Sequence, residues 1–229
     1  IASILSKKAA VGSTHIVIDI PVGPTAKVRS EKDALRLEYM LTVIGQALGL
    51  HIKVLITDGS RPVGRGIGPA LEATDVLAVL QNEPGAPNDL RQKSLQIAGT
   101  IFEMAEVCPV AQGMKMADKI LSQGVAFEKF SAICQAQGGM KEVPTAPYQH
   151  QILAHKSGKI TSVDNRKLAK LAKLAGAPYD LAAGLYLYGD VGEYIEKGQP
   201  LYCIHSESKG ELKYALRYVE SEDAIFKIL

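Results

Sequence analysis

The sequence predicts an α/β fold, with part of a mostly parallel α/β domain in residues 1–140 and a smaller α+β domain in residues 141–229. Two β-branched runs flank a segment of helical periodicity in the first half, and strand, helix and strand in that order read as a right-handed β-α-β unit. The stretch GGMKEVPTAPYQHQ, residues 138–151, is linker-like and marks a change of texture. Beyond it, short strand, helix and hairpin signals alternate.

Each element follows from its pattern. HIVIDI (15–20) is a strand closed by Pro21 and Gly23. Residues 31–49 carry Ala34, Leu37, Leu41, Ile44 and Leu48 at helical spacing, with Gly49 as the stop. HIKVLITD (51–58) is the second strand, and residues 59–80 form a Gly/Pro loop running into another helix. Three further helical segments are expected near 88–106, 113–122 and 125–137. In the second domain, SGKITSVD (157–164), NRKLAKLAKLAGAP (165–178) and GLYLYGDVGEYIEKGQPLYCIHS (184–206) supply strand, helix and hairpin. Leu212 to Glu220 and the apolar tail AIFKIL close it.

Composition narrows the function classes. A chain of 229 residues with 47% apolar content is large enough to bury a core and is not disordered. The net charge is +2 with both signs interspersed, so neither a nucleic-acid surface nor an acidic partner tail is expected. Cys108, Cys134 and Cys203 are far apart and in no C-x-x-C arrangement, which argues against a disulfide framework and a zinc site. No stretch approaches the roughly 20 apolar residues of a membrane span, and residues 1–30 lack a signal-peptide pattern. The expectation is a cytoplasmic protein without membrane or nucleic-acid partners. Because it begins at Ile1 inside an expected helix, the chain is expected to be a fragment.

The residues that carry chemistry cluster in three places. Ser3 and Lys7 lie four apart, so on a helix a hydroxyl and an ammonium face one polar ligand together. The same spacing also occurs on solvated helices that bind nothing. The loop PVGRGIG (62–68) stands between a strand and a helix, where backbone N–H groups hold anions. It lacks the dinucleotide register, because position 69 is Pro, and it has no Walker lysine, so a tight strand-to-helix turn is the alternative. Nearby Asp58, Glu72 and Asp75 offer carboxylate oxygens to a hard cation, or simply cap and solvate. GMKM (113–116) resembles the modified lysine site of biotin carriers, but Lys115 begins the helical run ADKIL. VGEYIEKGQPLYCI (191–204) resembles a biotinyl or lipoyl hairpin, although HSES follows where an attachment lysine belongs.

ASILSKKAAVGSTHIVIDIPVG (2–23), LITDGSRPVGRGIGPALE (55–72), SGKITSVDNRKLAKLAKLAGAP and GDVGEYIEKGQPL together resemble the thymidine and pyrimidine-nucleoside phosphorylases. Within that family the match is to the C-terminal portion of the subgroup that includes archaeal AMP phosphorylases. The resemblance implies that Ser3 and Lys7 hydrogen-bond the nucleobase, with Lys7 also catalytic as negative charge develops on the departing base. It further implies a structural monovalent cation held by the Val63 and Gly66 carbonyls and by Asp75, where the family has Glu; no other cofactor is expected. Pro21 stands where bacterial thymidine phosphorylases carry lysine, a departure that resembles the AMP phosphorylase branch.

The reaction so implied is phosphorolysis by a pentosyltransferase. Inorganic phosphate takes the pentosyl group from a nucleoside or nucleoside monophosphate and the free base leaves. The family's phosphate loops and proton donor precede the segment matching Ser3 to Lys7, so this chain alone is expected to be inactive, and the full-length form to be a homo-oligomer. Two alternatives stand beside this reading of the sequence: a non-catalytic fragment or structural module that keeps a nucleobase cleft, and a biotinyl-like carrier domain.

Overall fold

The computed structural model describes residues 1–222 and 224–229. The first half runs α1 (Ala2–Ala10), β1 (His15–Val22), α2 (Glu31–Ala47), β2 (His51–Asp58), β3 (Gly66–Ile67), α3 (Pro69–Leu80), α4 (Asn88–Met104), α5 (Gly113–Ser122) and α6 (Val125–Ala136). The second runs β4 (Tyr148–Leu153), β5 (Gly158–Val163), α7 (Asn165–Leu174), β6 (Gly184–Leu187), β7 (Tyr194–Ile195), β8 (Pro200–Ser206), α8 (Lys209–Ser221) and β9 (Phe226–Ile228). Two compact units result: residues 1–60 with 91–126, and residues 61–90 with 127–229.

Unit 1 contains the expected β-α-β arrangement. β1 and β2 pair in parallel from His15 opposite His51 to Val22 opposite Asp58. Between them, α2 starts where the Ser30 hydroxyl accepts from the Asp33 N–H at 3.1 Å and donates to the Asp33 carboxylate at 2.6 Å, a cap worth about 1 kcal/mol. Leu5 of α1 joins Ile16, Ile20, Ala34, Leu41, Leu50 and Val54 in the core. Gly45 presents no side chain where Ile52 of β2 crosses it, and a Cβ there would collide with the isoleucine. β1 runs two residues past the expected end, through Pro21. A proline, having no N–H, is accommodated there because β1 is an edge strand of the β1–β2 sheet.

Unit 2 is antiparallel among its described strands. One sheet has the order β3-β6-β8-β4 and another β7-β5-β9. Residues 61–90 join this unit because β3 pairs with β6, Gly66 opposite Tyr186 and Ile67 opposite Leu185. β4 emerges from the stretch read as linker, and its Tyr148 lies opposite Ser206 of β8; its Gln and His residues mask the alternation, and the partner strand supplies what the local pattern lacks. The core gathers Ile160 and Val163 of β5, Leu168 and Leu171 of α7, Leu185 of β6 and Ile204 of β8, with Phe226 and Ile228 of β9. The tail thus becomes a strand rather than a free end. α7 is capped by Asp164, whose carboxylate accepts from the Arg166 and Lys167 N–H groups. No helix among the described residues is long and apolar enough to cross a membrane.

Candidate functional site

Helix geometry places the two leading candidates together. At about 100° per residue, Ser3 and Lys7 sit on adjoining lines of α1, both on the side opposite Leu5. Leu5 is 1% exposed, whereas Ser3 and Lys7 are both exposed. Burying Leu5 therefore fixes α1 with its hydroxyl and ammonium turned outward. Such a face can donate hydrogen bonds to the acceptor edge of a polar ring.

A second polar group in unit 1 stands near the carboxyl ends of the two parallel strands, where open α/β sheets place ligands. The Lys93 ammonium of α4 meets the Asp19 carboxylate of β1 at 2.6 Å. The Thr57 hydroxyl of β2 donates to the other Asp19 oxygen at 2.6 Å and accepts from Lys93 at 3.2 Å. Asp and Lys side chains are only 22% and 21% exposed. Sequence reading missed this triad: an Asp inside the β-branched run HIVIDI was its one local signal. Beyond these strands, Gly23 and Gly59 approach so closely that a Cβ on Gly23 would collide with the Gly59 backbone.

The loop between β2 and α3 does not offer its amides to an external anion. Asp75 Oδ2 accepts from the Arg65 and Gly66 N–H groups at 2.6 and 2.7 Å. Asp89 accepts from Gly64 at 2.9 Å, and Glu72 from Gly68 at 3.0 Å. The protein's own carboxylates fill the places a phosphate would take, so the glycines serve a tight turn. Gly64, at φ +79°, and Gly68, at φ +128°, need that freedom. Asp58 likewise accepts from Ser60, at 2.8 Å.

Of the three expected cation ligands, Asp75 is buried at 5% exposure and anchors this loop. Gly66 is buried and Val63 half-buried. Two carbonyls and a carboxylate form the all-oxygen set that hard cations take, and Asp75 Oδ1 is the carboxylate oxygen not engaged with the loop amides. Among the described residues no three His, Cys, Asp or Glu side chains converge as metal ligands. The Arg65 guanidinium is pushed above its ordinary pKa by its hydrogen bond to Tyr186 and by the nearby charges of Asp75 and Asp89, against a lowering by burial.

The features that resemble a carrier domain lie elsewhere than a hairpin tip. Lys115 is exposed within α5. After Ile204, β8 continues through Ser206, which is fully buried and donates to the Ala175 carbonyl at 2.8 Å. The position after Ile204, where an attachment lysine belongs, is thus held by His205, half-buried within β8 rather than at a hairpin tip.

A parallel β-α-β unit followed by an antiparallel α+β body defines this as an α/β protein of two compact parts. Residues 159–225 match the pyrimidine nucleoside phosphorylase C-terminal domain, and the chain carries the C-terminal domain of that family. A Legionella pneumophila (strain Paris) protein named "Putative thymidine phosphorylase" is 57% identical over 215 residues, 94% of this chain and 42% of that protein. "Putative thymidine phosphorylase 1" of Acidovorax sp. (strain JS42) is 51% identical over 228 residues, covering 100% of this chain and 45% of its own length. A Maricaulis maris (strain MCS10) protein, again named "Putative thymidine phosphorylase", is 52% identical over 228 residues, 44% of its length. The chain spans less than half the length of these curated relatives.

Proposed function

We propose that this chain is the base-binding and C-terminal part of a nucleoside phosphorylase, with residues 1–140 contributing to the base-binding domain and 141–229 forming the C-terminal α+β domain. The observation that carries the reading is the Ser3–Lys7 pair on one exposed face of α1, in a chain more than half identical to proteins named for thymidine phosphorolysis.

In the proposed reaction an oxygen of inorganic phosphate bonds to C1′ of the pentose as the C1′–N bond breaks. The bonding pair leaves with the base, which acquires a proton, and the products are a sugar 1-phosphate and a free base. Lys7 donates to an acceptor on the base as negative charge builds there, and Ser3 holds the ring beside it. Because the charge grows toward the transition state, Lys7 contributes more to turnover than to ground-state binding. Pro21 supports an AMP-type substrate, a nucleoside monophosphate, over thymidine. A monovalent cation would be held by the Val63 and Gly66 carbonyls and Asp75 Oδ1 and would only stiffen the loop. The full-length enzyme is proposed to be a cytoplasmic homo-oligomer.

Thymine, adenine and AMP titrated into the isotope-labelled chain should shift the amide resonances of α1. Lys7→Ala should weaken that response at least about tenfold, the value of a charged hydrogen bond, and Ser3→Ala less. An unchanged response at α1 in Lys7→Ala would sink the base-binding role. The chain alone is proposed not to turn over, so phosphate-dependent release of free base by it would overturn that part.

A further inference from the structure

Unit 2 holds a cavity of about 430 Å³ that takes no part in the proposed reaction. Neither Ser3 nor Lys7 lines it, and its volume lies within the about 300–1,000 Å³ of small-molecule sites. We propose that it is a second binding site, for a neutral nucleobase or the base of a nucleoside.

Charge decides the class of ligand. Arg61 and Arg65 line the cavity, but so do Asp89, Asp190 and Glu193. Three carboxylates against two guanidiniums repel a free phosphate or a phosphate monoester. The carboxylates are fixed in place: Asp190 accepts from Arg61 at 2.6 Å and from the Val191 N–H at 2.6 Å. Glu193 accepts from the Asp190 N–H at 3.0 Å through Oε2, and Asp89 from Gly64 through Oδ2. Glu193 and Asp89 each have a second oxygen to accept with, and Arg65 carries donors only. Donors beside acceptors match a ring whose edge alternates C=O and N–H.

The walls suit the faces of such a ring. Tyr188 lines the cavity and is 45% exposed. Its ring is held edge to face with Tyr186, centroids 5.2 Å apart at 65°, and its N–H donates to the Leu201 carbonyl at 2.9 Å. An anchored aromatic ring open on one side is a stacking platform for any base. Val163 and Phe226 add apolar floor. The inference rests on the proposed reaction only in its choice of probes, since a phosphorylase liberates bases.

The test uses the labelled chain carrying Lys7→Ala, so that binding at α1 is suppressed. Thymine or adenine should perturb amides in residues 61–65 and 187–193, while inorganic phosphate and ribose 5-phosphate should not. Tyr188→Ala should weaken the base at least about tenfold, the loss of one base–aromatic stack. Tyr188→Leu, which keeps apolar volume without a ring, should do the same with the fold intact by circular dichroism. Arg65→Met should weaken it less. Perturbation at α1 alone, no perturbation at millimolar base, unchanged binding in Tyr188→Leu, or an equal response to phosphate would each overturn the site. A response at 61–65 and 187–193 without one at α1 in the unmodified chain would instead preserve this site and refute the first.

Discussion

Unit 2 encloses a core of twenty buried apolar residues among those described, with members on strands β5 to β9 and helices α7 and α8. Unit 1 gathers seven around a sheet of two strands. Parallel strands ordinarily lie in sheets covered on both faces, and independent stability usually takes three or more strands or a helix packed on them. α2 supplies that packing on β2, yet Leu35, Tyr39 and Val43, spaced four apart along α2, stay 51%, 69% and 45% exposed. The candidate base-binding face thus sits on the unit with the thinner core. Its Ser3–Lys7 geometry depends on one buried leucine, Leu5.

The largest expected effect tests that contrast directly. Leu171→Ala in α7 and Leu41→Ala in α2 both empty a fully buried position and should each cost about 2–5 kcal/mol. Leu41→Ala should unfold unit 1 while unit 2 amides stay protected from hydrogen exchange. Leu171→Ala should lower the denaturant midpoint of unit 2 and leave it folded. Equal amide protection of both units in the unmodified chain would erase the comparison.

Next is the polar triad of unit 1. Lys93→Met leaves Asp19, 22% exposed, with the Thr57 hydroxyl as its remaining donor. The expected cost is about 1–3 kcal/mol, read as a lower denaturant midpoint, and Asp19→Asn with Lys93→Met should restore part of it. No shift on Lys93→Met would mean the thin core tolerates an uncompensated carboxylate.

A smaller effect belongs to His205 of β8. Burial pushes its pKa below the ordinary value. The folded chain therefore favours the neutral ring, and as pH falls the unfolded chain takes up the proton first. Its stability contribution is complete above about pH 6.5 and is lost as pH falls from there through the lowered folded value. Melting temperatures of the unmodified chain and His205→Gln at pH 8 and pH 5 should diverge at the acid end, with the variant less sensitive. A parallel decline would assign the acid sensitivity to other groups.

The smallest effect is at Arg61. It meets Asp190 at 2.6 Å, but the two side chains are 36% and 49% exposed. Such a pair contributes about 0–1 kcal/mol, less at high salt. Arg61→Ala should lower the melting temperature of unit 2 by at most about 4 °C. A larger drop would mean that the loop and the turn after β6 are coupled more tightly than an exposed ion pair allows.

Periodicity within one segment was readable without coordinates. β2 spans the HIKVLITD run, α3 begins at Pro69, and α5 covers 113–122, because each has its apolar spacing and its stop within a few residues. Ser3 and Lys7 share a face for the same reason: spacing on a helix is a local property. β4 was not readable, since YQHQIL has little alternation and its strand state comes from β8, some fifty residues away. Nor was the fate of the PVGRGIG loop. Its glycines suit an anion cradle and a turn equally, and the choice fell to Asp75 and Asp89.

The amino-acid order by itself determined the α/β class, most helices and strands, and the face on which a hydroxyl and an ammonium lie four residues apart. Tertiary structure alone decided which carboxylate meets which donor. Gly64 finds Asp89 across 25 positions and Arg61 finds Asp190 across 129, while Lys93 closes on Asp19 at 2.6 Å. Propensity and capping act over a turn or two of chain. Partners that far apart meet only when the buried apolar faces fix where each strand and helix lies.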